Sequence, residues 1–279
     1  MQRKVLAPMI QSTLTHTRKI LADSRICLYV VTKLRNQCEL VIGEAHGWSN
    51  GCNPDVNGEA RWLKSVGDRL HYIVDVGANR GEWTSSALCQ KNLDGALLFE
   101  PSRSAGEILR RQFADHPEVE LVEAAAGASL GTMAFFEEEN AGRTSSLVDG
   151  ASATHNAREV RVTTIDAEVE RRGWPSVDFL KIDAEGYDFH VLEGAAQLFA
   201  QRKVLYGQFE YNSPWRLSGT TLTCAIHWLK ALGYQCYVLR PDGLHLPNTD
   251  LYREYFLYSN YAFIRNDLVE DALQRFRSR

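Results

Sequence analysis

A strand that runs directly into a glycine turn and a helix start constrains this chain more than any other feature. The segment H-Y-I-V-D-V-G-A-N-R-G-E-W spans residues 71–83, and its apolar run ends in Asp75 and Val76 ahead of Gly77 and Gly81. In an open parallel sheet, such a turn offers backbone N–H groups and a helix dipole to a ligand beyond the carboxyl ends of the strands. The segment therefore predicts a ligand-binding α/β fold.

Short apolar runs alternate with helical patterns after this turn. Runs such as I-V-D-V and A-L-L-F are typical of strands covered on both faces in a parallel sheet. We predict strands near Tyr72 to Val76, Ala96 to Glu100, Val119 to Ala124, Phe179 to Asp183, Val204 to Glu210, Gln235 to Arg240 and Phe256 to Ile264. We expect helices near Glu82 to Lys91, Ser104 to Ala114, Thr164 to Arg172, Phe189 to Ala200 and Thr220 to Leu232. This alternation predicts a doubly wound, Rossmann-like sheet.

Two departures from the alternation refine the predicted topology. Strand-like stretches at Thr132 to Glu137 and Glu159 to Thr164 flank a polar loop, which predicts a β-hairpin insertion. The last two predicted strands have a Pro-Asp-Gly turn signal and no helix between them. We therefore expect a mostly parallel sheet that ends in an antiparallel C-terminal edge pair.

The first 56 residues differ in pattern from the rest of the chain. Apolar residues recur at helical spacing from Ile20 to Leu34, and a stretch rich in Gly and Asn follows from Gly43 to Gly58. We expect an N-terminal helical extension at residues 1–56 and the main domain at residues 57–279, and the extension is a candidate homodimer surface. Residues 1–22 carry Arg and Lys but no acid, which is also typical of a transit peptide.

Composition argues against several classes of partner and site. The chain of 279 residues has a formal net charge of -4 and a pI of about 6.1, so it lacks the basic character of a nucleic-acid-binding protein. Its six cysteines form no C-x-x-C pair, which argues against a zinc site or a disulfide framework. No apolar run reaches the length of a membrane span and no signal-peptide pattern is present, so we expect a cytoplasmic enzyme.

The glycine spacing discriminates between nucleotide ligands. A dinucleotide-binding turn has the pattern G-x-G-x-x-G, whose second glycine lets the backbone approach a pyrophosphate. Here Asn79 stands between Gly77 and Gly81, which favours a nucleoside ligand without a diphosphate, such as S-adenosylmethionine. Asp75 is placed to pair with the ammonium group of that ligand. Glu100, 23 positions after Gly77, is placed to accept its ribose hydroxyls.

A second dense stretch, D-F-L-K-I-D-A-E-G-Y-D-F-H-V-L-E-G-A, spans residues 178–195. A strand that ends in Asp183 and continues into Glu185 places two carboxylates at the mouth of the same cleft. Alternatively, these acids and Asp188 stabilise the positive N-terminal end of the following helix.

Several motifs together resemble the FkbM family of S-adenosylmethionine-dependent methyltransferases. They are N-G-E at 57–59, D-V-G-A-N-R-G at 75–81, F-E-P at 99–101, T-S-S-L at 144–147, L-K-I-D-A-E-G-Y at 180–187 and V-L-E-G-A at 191–195. The resemblance covers residues 57–265 and implies a class I methyltransferase fold with a mostly parallel, seven-stranded sheet. It also implies O-methylation of a natural product, a sugar or a glycan.

The candidate cofactor-binding residues lie in the first turn and at the ends of neighbouring strands. They are Asp75, Gly77, Ala78, Asn79, Gly81, Trp83, Glu100, Pro101, Ser102, Ala125 and Asp183. An alcohol must lose its proton to a carboxylate or an imidazole during methylation, so the candidate catalytic residues are Asp183, Glu210, Glu185 and His190. Alternatively, Asp183 and Glu210, together with Glu185, bind a divalent metal such as Mg²⁺ that acidifies the hydroxyl.

The acceptor pocket is expected in loops at the carboxyl edge of the sheet. Its candidate residues are Ser145, Ser146, His155, Tyr211, Asn212, Trp215 and Arg216. The predicted sheet is also compatible with two alternative functions. An NAD-dependent oxidoreductase needs the pyrophosphate glycine that Asn79 replaces. A non-catalytic scaffold would keep the cofactor pocket alone, which the intact set of strand-end acids argues against.

Overall fold

The computed structural model describes residues 15, 17–48, 53–90, 93–137, 145–150 and 157–278. These residues fall into two compact units, which comprise the residues up to Ala45 and those from His46 onward. The domain boundary predicted after residue 56 stays a prediction. Within the described ranges, no helix combines the length and the apolar character that crossing a bilayer requires.

The first unit contains helix α1 (Arg25–Ala45). Its residues Cys27, Val31, Leu34, Cys38 and Val41 follow one another at alternating steps of four and three. Among them, Val31, Leu34 and Val41 expose 57%, 61% and 70% of their surface. A stripe with this period is typical of a helix that pairs with another helix in a coiled coil.

The second unit alternates strands and helices in the predicted order. Its strands are β1 (Tyr72–Val76), β2 (Gly95–Phe99), β3 (Val119–Val122), β4 (Ala125–Ala126), β5 (Gly131–Phe136), β6 (Ala157–Thr163), β7 (Val177–Ile182), β8 (Val204–Tyr211), β9 (Tyr234–Arg240), β10 (Gly243–His245) and β11 (Ser259–Arg265). Its helices are α2 (Pro54–Asn57), α3 (Glu59–Val66), α4 (Glu82–Leu88), α5 (Arg103–Gln112), α6 (Ile165–Arg172), α7 (Asp188–Glu193), α8 (Ala196–Ala200), α9 (Leu222–Ala231), α10 (Thr249–Tyr252) and α11 (Val269–Ser278).

The main sheet has eight strands in the order β10-β9-β11-β8-β7-β1-β2-β3. The strands from β8 to β3 pair in parallel, whereas β11, β9 and β10 join antiparallel. This arrangement confirms the predicted class I methyltransferase fold. It differs in detail: β11 lies between β8 and β9, the edge strand is β10, and the short helix α10 lies between the last two predicted strands. The turn at Pro241 to Gly243 joins β9 to β10, a short strand that the sequence pattern did not reveal.

The predicted hairpin insertion forms a small second sheet in the order β4-β6-β5. Strands β5 and β6 pair antiparallel, and β4 lies parallel to β6. Residues 145–150 lie between β5 and β6 in sequence. A β-bridge between Ser146 and Phe136 joins this segment to the end of β5. The small sheet thereby holds Ser146 near the carboxyl edge of the main sheet.

The two faces of the main sheet pack into separate cores. Val74 and Leu180 belong to the larger cluster on one face. On the opposite face, Phe179 and Tyr206 lie within 6.1 Å and 5.8 Å of the ring of Trp62 in α3, measured between ring centroids. Helix α3 therefore covers this second face with a large aromatic side chain.

Polar side chains continue the second face toward the carboxyl ends of the strands. Asp75 lies opposite Lys181, and Lys181 lies opposite Gln208, so these residues form a row across β1, β7 and β8. Two residues further along β8, Glu210 pairs with Asn260 of β11. Because side chains alternate between the faces of a strand, these groups project to the same side. The fold thus builds a polar surface at the edge where α/β sheets bind ligands.

Candidate functional site

A cavity of about 490 Å³ opens at the carboxyl ends of β1, β2, β7 and β8. Its walls come from the glycine turn after β1, the segment after β2, the end of β7 and the polar side chains of β8 and β11. Phe135 and Ser146 of the small sheet line one side. A ligand bound in this cavity would contact both the glycine turn after β1 and the segment after β7.

One end of the cavity is formed by the turn after β1 and by Glu100. The Glu100 carboxylate accepts hydrogen bonds from the backbone N–H groups of Asn79, at 2.8 Å, and Ser102, at 2.7 Å. Burial raises the pKa of Glu100 to about 7, although both of these donors lower it. This end of the cavity therefore presents a fixed carboxyl group whose charge changes near neutral pH.

The turn after β1 packs tightly against the end of β7. Gly77 has a φ of +72°, and a Cβ atom at this position would lie 1.9 Å from the carbonyl oxygen of Asp183. Asn79 and Gly81 are also left-handed, with φ of 46° and 75°. Glycine adopts this region without strain and asparagine tolerates it better than most residues. The glycine at position 77 is therefore required by close backbone approach.

A buried ammonium group joins the ends of β1 and β7. The Nζ atom of Lys181 lies 3.2 Å from Asp75 Oδ1, 3.4 Å from Asp183 Oδ2 and 3.2 Å from the carbonyl oxygen of Gly77. Burial lowers the pKa of Lys181, but the carboxylates of Asp75, Asp183 and Glu59 raise it above its ordinary value. Lys181 is therefore a permanent positive charge at the floor of the cavity.

Asp75 lies beneath the cavity. Its side chain is fully buried, its Oδ2 atom accepts a hydrogen bond from the Thr84 hydroxyl at 2.6 Å, and its Oδ1 atom faces Lys181. Asp75 is absent from the lining of the cavity. In this geometry Asp75 is the partner of Lys181, and its predicted contact with a ligand ammonium stays a prediction.

Three carboxylates converge at the other end of the cavity. Oxygen atoms of Asp183, Glu185 and Glu210 all lie within 4.8 Å of one another. The Nδ2 atom of Asn212 donates to Glu210 Oε1 at 2.6 Å and to Glu185 Oε2 at 3.3 Å. Burial, together with the carboxylates of Asp183, Glu185 and Asp188, raises the pKa of Glu210 well above its ordinary value. An ionised carboxylate in such a cluster can accept a proton from a hydroxyl group.

A fourth carboxyl group, Glu59, enters the cavity from the start of α3. Its Oε1 atom accepts hydrogen bonds from Asn57 Nδ2 at 2.5 Å and Asn260 Nδ2 at 2.8 Å, and its Oε2 atom accepts one from Gln208 Nε2. Burial raises the pKa of Glu59, although its amide donors and Lys181 oppose this effect. Glu59 thus orients three amide groups at once.

Most of the predicted site residues line the cavity. They are Gly77, Ala78, Asn79, Trp83, Glu100, Pro101, Ser102, Ala125, Ser145, Ser146, Asp183, Glu185, Glu210 and Asn212. The structure brings these residues together from segments that are far apart in sequence. Their individual roles stay predictions.

Other predicted site residues lie away from the cavity lining. They are Asp75, Gly81, His190, Tyr211, Trp215 and Arg216, while His155 falls outside the described residues. Tyr211 is fully buried and donates its hydroxyl to Glu254 at 2.9 Å, because it projects to the opposite face of β8 from Glu210. Trp215 is also fully buried, and its indole N–H donates to the Glu210 carbonyl at 2.9 Å. The His190 ring packs against Tyr187 on α7, with 4.5 Å between centroids.

Among the cavity residues that were not predicted as site residues are four polar ones, namely Glu59, Lys181, Gln208 and Asn260. Two of them carried a signal. Lys181 interrupts an apolar strand, and Gln208 precedes Glu210 by two residues, the period that puts both side chains on one face. The positions of Glu59 and Asn260 depend on long-range contacts that no local pattern encodes.

The fold and the cavity define a class I methyltransferase domain. Within that class, the Methyltransferase FkbM domain matches residues 75–236, which is more than half of the chain. The chain belongs to this family. Membership implies S-adenosylmethionine as the cofactor and gives no support to the oxidoreductase alternative. No curated protein sequence matches the chain.

Several solved structures are similar at low sequence identity. Methyltransferase FkbM from Methylobacillus flagellatus KT is 17% identical, with a TM-score of 0.42 over 69% of this chain and 43% of that one. Spermidine synthase from Thermotoga maritima is 14% identical, with a TM-score of 0.41 over 77% and 60%. A TehB-like SAM-dependent methyltransferase from Corynebacterium glutamicum is 12% identical, with a TM-score of 0.40 over 83% and 97%. The chain thus spans less than half of the length of the Methylobacillus protein.

We predict that Glu210→Gln stabilises the protein by an amount that grows with pH. The pKa of Glu210 is raised on folding, so its contribution to the free energy of unfolding is lost as pH rises through the folded pKa. Gln cannot ionise, and it keeps an oxygen that accepts from Asn212. Thermal unfolding should show a small difference from the wild type at pH 5 and a melting temperature higher by roughly 3 °C at pH 8.

The matched control is Glu107→Gln, because the Glu107 side chain is 64% exposed. This variant should melt like the wild type at both pH values. A Glu210→Gln protein that is less stable than the wild type at pH 8 contradicts a raised pKa of Glu210. An equal rise in melting temperature at both pH values contradicts it as well.

Proposed function

We propose that this chain is an S-adenosylmethionine-dependent O-methyltransferase that acts on a hydroxyl group of a natural product, a sugar or a glycan. The observation that carries the proposal is that one cavity holds Glu100 at one end and the Asp183, Glu185 and Glu210 cluster at the other. O-methylation needs a site for the ribose of the cofactor and a proton acceptor beside the hydroxyl. The acidic net charge favours a small or glycosidic acceptor over a nucleic acid.

The cofactor end of the cavity fits the adenosyl group that the family implies. Glu100 is held by two backbone donors and can accept two ribose hydroxyls. The indole N–H of Trp83 is buried without a hydrogen-bond partner among the described residues, so an acceptor atom of the ligand would satisfy it. When bound, S-adenosylmethionine supplies an electrophilic methyl group on its sulfonium.

The opposite end fits an acceptor hydroxyl. Methyl transfer forms a carbon–oxygen bond while the carbon–sulfur bond breaks, and the hydroxyl proton must pass to a base. Burial and three nearby carboxylates raise the pKa of Glu210, which makes its ionised form a stronger base than an ordinary carboxylate. Asp183 contacts Lys181 and lies beside Glu210 at the same edge of the cavity. Alignment of the hydroxyl with the methyl group then supplies much of the rate.

The same carboxylate cluster suggests a metal-assisted route as the alternative. Carboxylate oxygens suit Mg²⁺, and a bound cation would acidify the hydroxyl. A cation that binds the native state raises the melting temperature with its concentration. A Mg²⁺-dependent rise that Asp183→Asn abolishes favours the metal, whereas no rise, with activity retained in EDTA, favours Glu210 as the base.

We predict that S-adenosylmethionine binds more tightly at pH 8 than at pH 6. Ribose hydroxyls donate to the ionised form of Glu100, and the pKa of this group is raised to about 7 by burial. The fraction of ionised carboxyl therefore rises about tenfold between these pH values, and the affinity should follow it. Isothermal titration calorimetry with S-adenosylmethionine, S-adenosylhomocysteine and NAD measures this dependence.

Glu100→Gln is the control for that titration. It should weaken adenosyl binding and remove most of its pH dependence, because Gln does not ionise. Binding of NAD in place of the adenosyl ligands would sink the methyltransferase proposal. Tight adenosyl binding without turnover on any acceptor would favour the non-catalytic scaffold.

We also propose that α1 pairs with α1 of a second copy. The alternating four- and three-residue spacing supports a coiled coil, and Cys27 and Cys38 both lie in the apolar stripe. In a parallel pair, each cysteine would face its own counterpart. Light scattering should give a dimer that Leu34→Glu and Val41→Glu convert to a monomer, and oxidation should cross-link the wild type. A monomeric wild type contradicts this assignment.

A cytoplasmic location completes the proposal. The described cysteines, which are Cys27, Cys38, Cys89, Cys224 and Cys236, are free thiols, as is typical of a reducing compartment. Cell fractionation tests this location. Recovery from an organelle with a shortened N-terminus would favour the transit-peptide alternative.

A further inference from the structure

A set of amide side chains extends the acceptor end of the cavity beyond the carboxylates. Gln208, Asn212 and Asn260, here called the amide wall, all line the cavity and expose 2%, 8% and 6% of their surface. Gln208 projects from the same face of β8 as Glu210, and Asn260 is the β11 partner of Glu210. The amide wall is therefore contiguous with the group that we propose as the base.

Two carboxylates, Glu59 and Glu210, fix the orientation of this wall. The Glu59 carboxylate accepts hydrogen bonds from Gln208 Nε2 and from Asn260 Nδ2, while Glu210 accepts one from Asn212 Nδ2. With their N–H₂ groups directed at carboxylates, the amides turn their oxygen atoms elsewhere. The wall is thus preorganised with defined acceptor atoms.

Two of these oxygen atoms lack a donor. Gln208 Oε1 and Asn212 Oδ1 are buried and have no hydrogen-bond partner among the described residues. Buried polar atoms in proteins are almost always hydrogen-bonded. Because both residues line the cavity, a ligand that brings O–H groups would supply the missing donors.

The charge of the cavity restricts that ligand further. Four carboxyl groups line it beside the amide wall, belonging to Glu59, Asp183, Glu185 and Glu210. Among the described residues of the lining, the cations are Lys181 and Arg80, and Lys181 already contacts Asp75 and Asp183. An acceptor with a carboxylate or phosphate at this wall would meet like charge.

We propose that the amide wall, oriented by Glu59 and Glu210, determines acceptor specificity by binding a second hydroxyl beside the one that is methylated. This inference rests on the proposed O-methyltransferase function. The reacting hydroxyl gives its proton to the carboxylate cluster as the carbon–oxygen bond forms and S-adenosylhomocysteine leaves. A neighbouring hydroxyl of the same ring donates to Gln208 or Asn212. The acceptor is therefore a ring that carries adjacent hydroxyls and no anionic group, and Glu59 acts as a positioning residue.

A matched acceptor panel tests the specificity. The neutral polyols are the methyl glycosides of glucose, galactose and mannose, together with myo-inositol. The comparison compounds are glucuronate, glucose 6-phosphate and cyclohexanol. Mass spectrometry measures S-adenosylhomocysteine formation at millimolar acceptor. At least one neutral polyol should be turned over about tenfold faster than every charged or single-hydroxyl compound, as expected when buried polar groups are left unpaired.

Variants then test the wall itself. Gln208→Met should raise the acceptor KM at least about tenfold and reduce the preference for polyols over cyclohexanol, since it removes the unpaired oxygen and keeps the side-chain length. Glu59→Gln should raise the acceptor KM more than it lowers kcat. The matched control is Gln235→Met on β9, which does not line the cavity and should change neither value. If Gln208→Met fails to fold, Asn212→Ala takes its place.

The affinity for S-adenosylmethionine, measured by calorimetry on the same samples, distinguishes failure of the proposed function from failure of the specificity inference. A wild-type protein that does not bind S-adenosylmethionine would overturn the proposed function itself. Cofactor binding without turnover of any neutral polyol would overturn the inference alone. Equal turnover of charged acceptors, or a Gln208→Met protein with the wild-type KM, would overturn it as well.

Discussion

The ammonium group of Lys181 is the interaction on which the rest of this site depends. It contacts Asp75, Asp183 and the carbonyl oxygen of Gly77, so it ties the glycine turn after β1 to the end of β7. A buried charge is tolerated only when it is paired and hydrogen-bonded, and these three oxygens provide that compensation. Without the ammonium group, Asp75 would be left as an unpaired carboxylate in the core. A lysine at a strand position where apolar residues are usual therefore links two of the segments that line the cavity.

The acids around this cation exceed what it can neutralise. Oxygen atoms of Asp183, Glu185 and Glu210 lie within 4.8 Å of one another, so their ionised forms repel, and burial of Glu210 adds to the cost of ionising it. Such an arrangement lowers the free energy of unfolding at pH values where the acids are ionised, and it contains the group that we propose as the base. The same face of the sheet is apolar beneath Trp62 and polar at the strand ends. The core residues and the cavity residues therefore follow one another along the same strands.

The sequence predicted the parts of this molecule that local pattern encodes. The glycine turn, the alternation of strands and helices, and Glu100 at the end of β2 follow from spacing alone, and the hairpin insertion follows from two strand-like stretches. The position of β11 between β8 and β9 could not be predicted, because strand order depends on long-range pairing. Asp75 was expected to face the ligand, since its strand-end position does not reveal that Lys181 lies opposite on β7. Tyr211 and Trp215 were expected in the acceptor pocket, but strand alternation and core packing bury them.

The most direct measurement of this account is the adenosyl affinity of Lys181→Met, a variant that removes the charge and keeps the length of the side chain. Calorimetric titration with S-adenosylhomocysteine, at a temperature where circular dichroism shows the variant folded, should give an affinity at least about tenfold below that of the wild type. The melting temperature should also fall, because breaking a buried ion pair typically costs about 3–5 kcal/mol. Wild-type affinity together with an unchanged melting temperature would contradict the claim that this ammonium group organises the site.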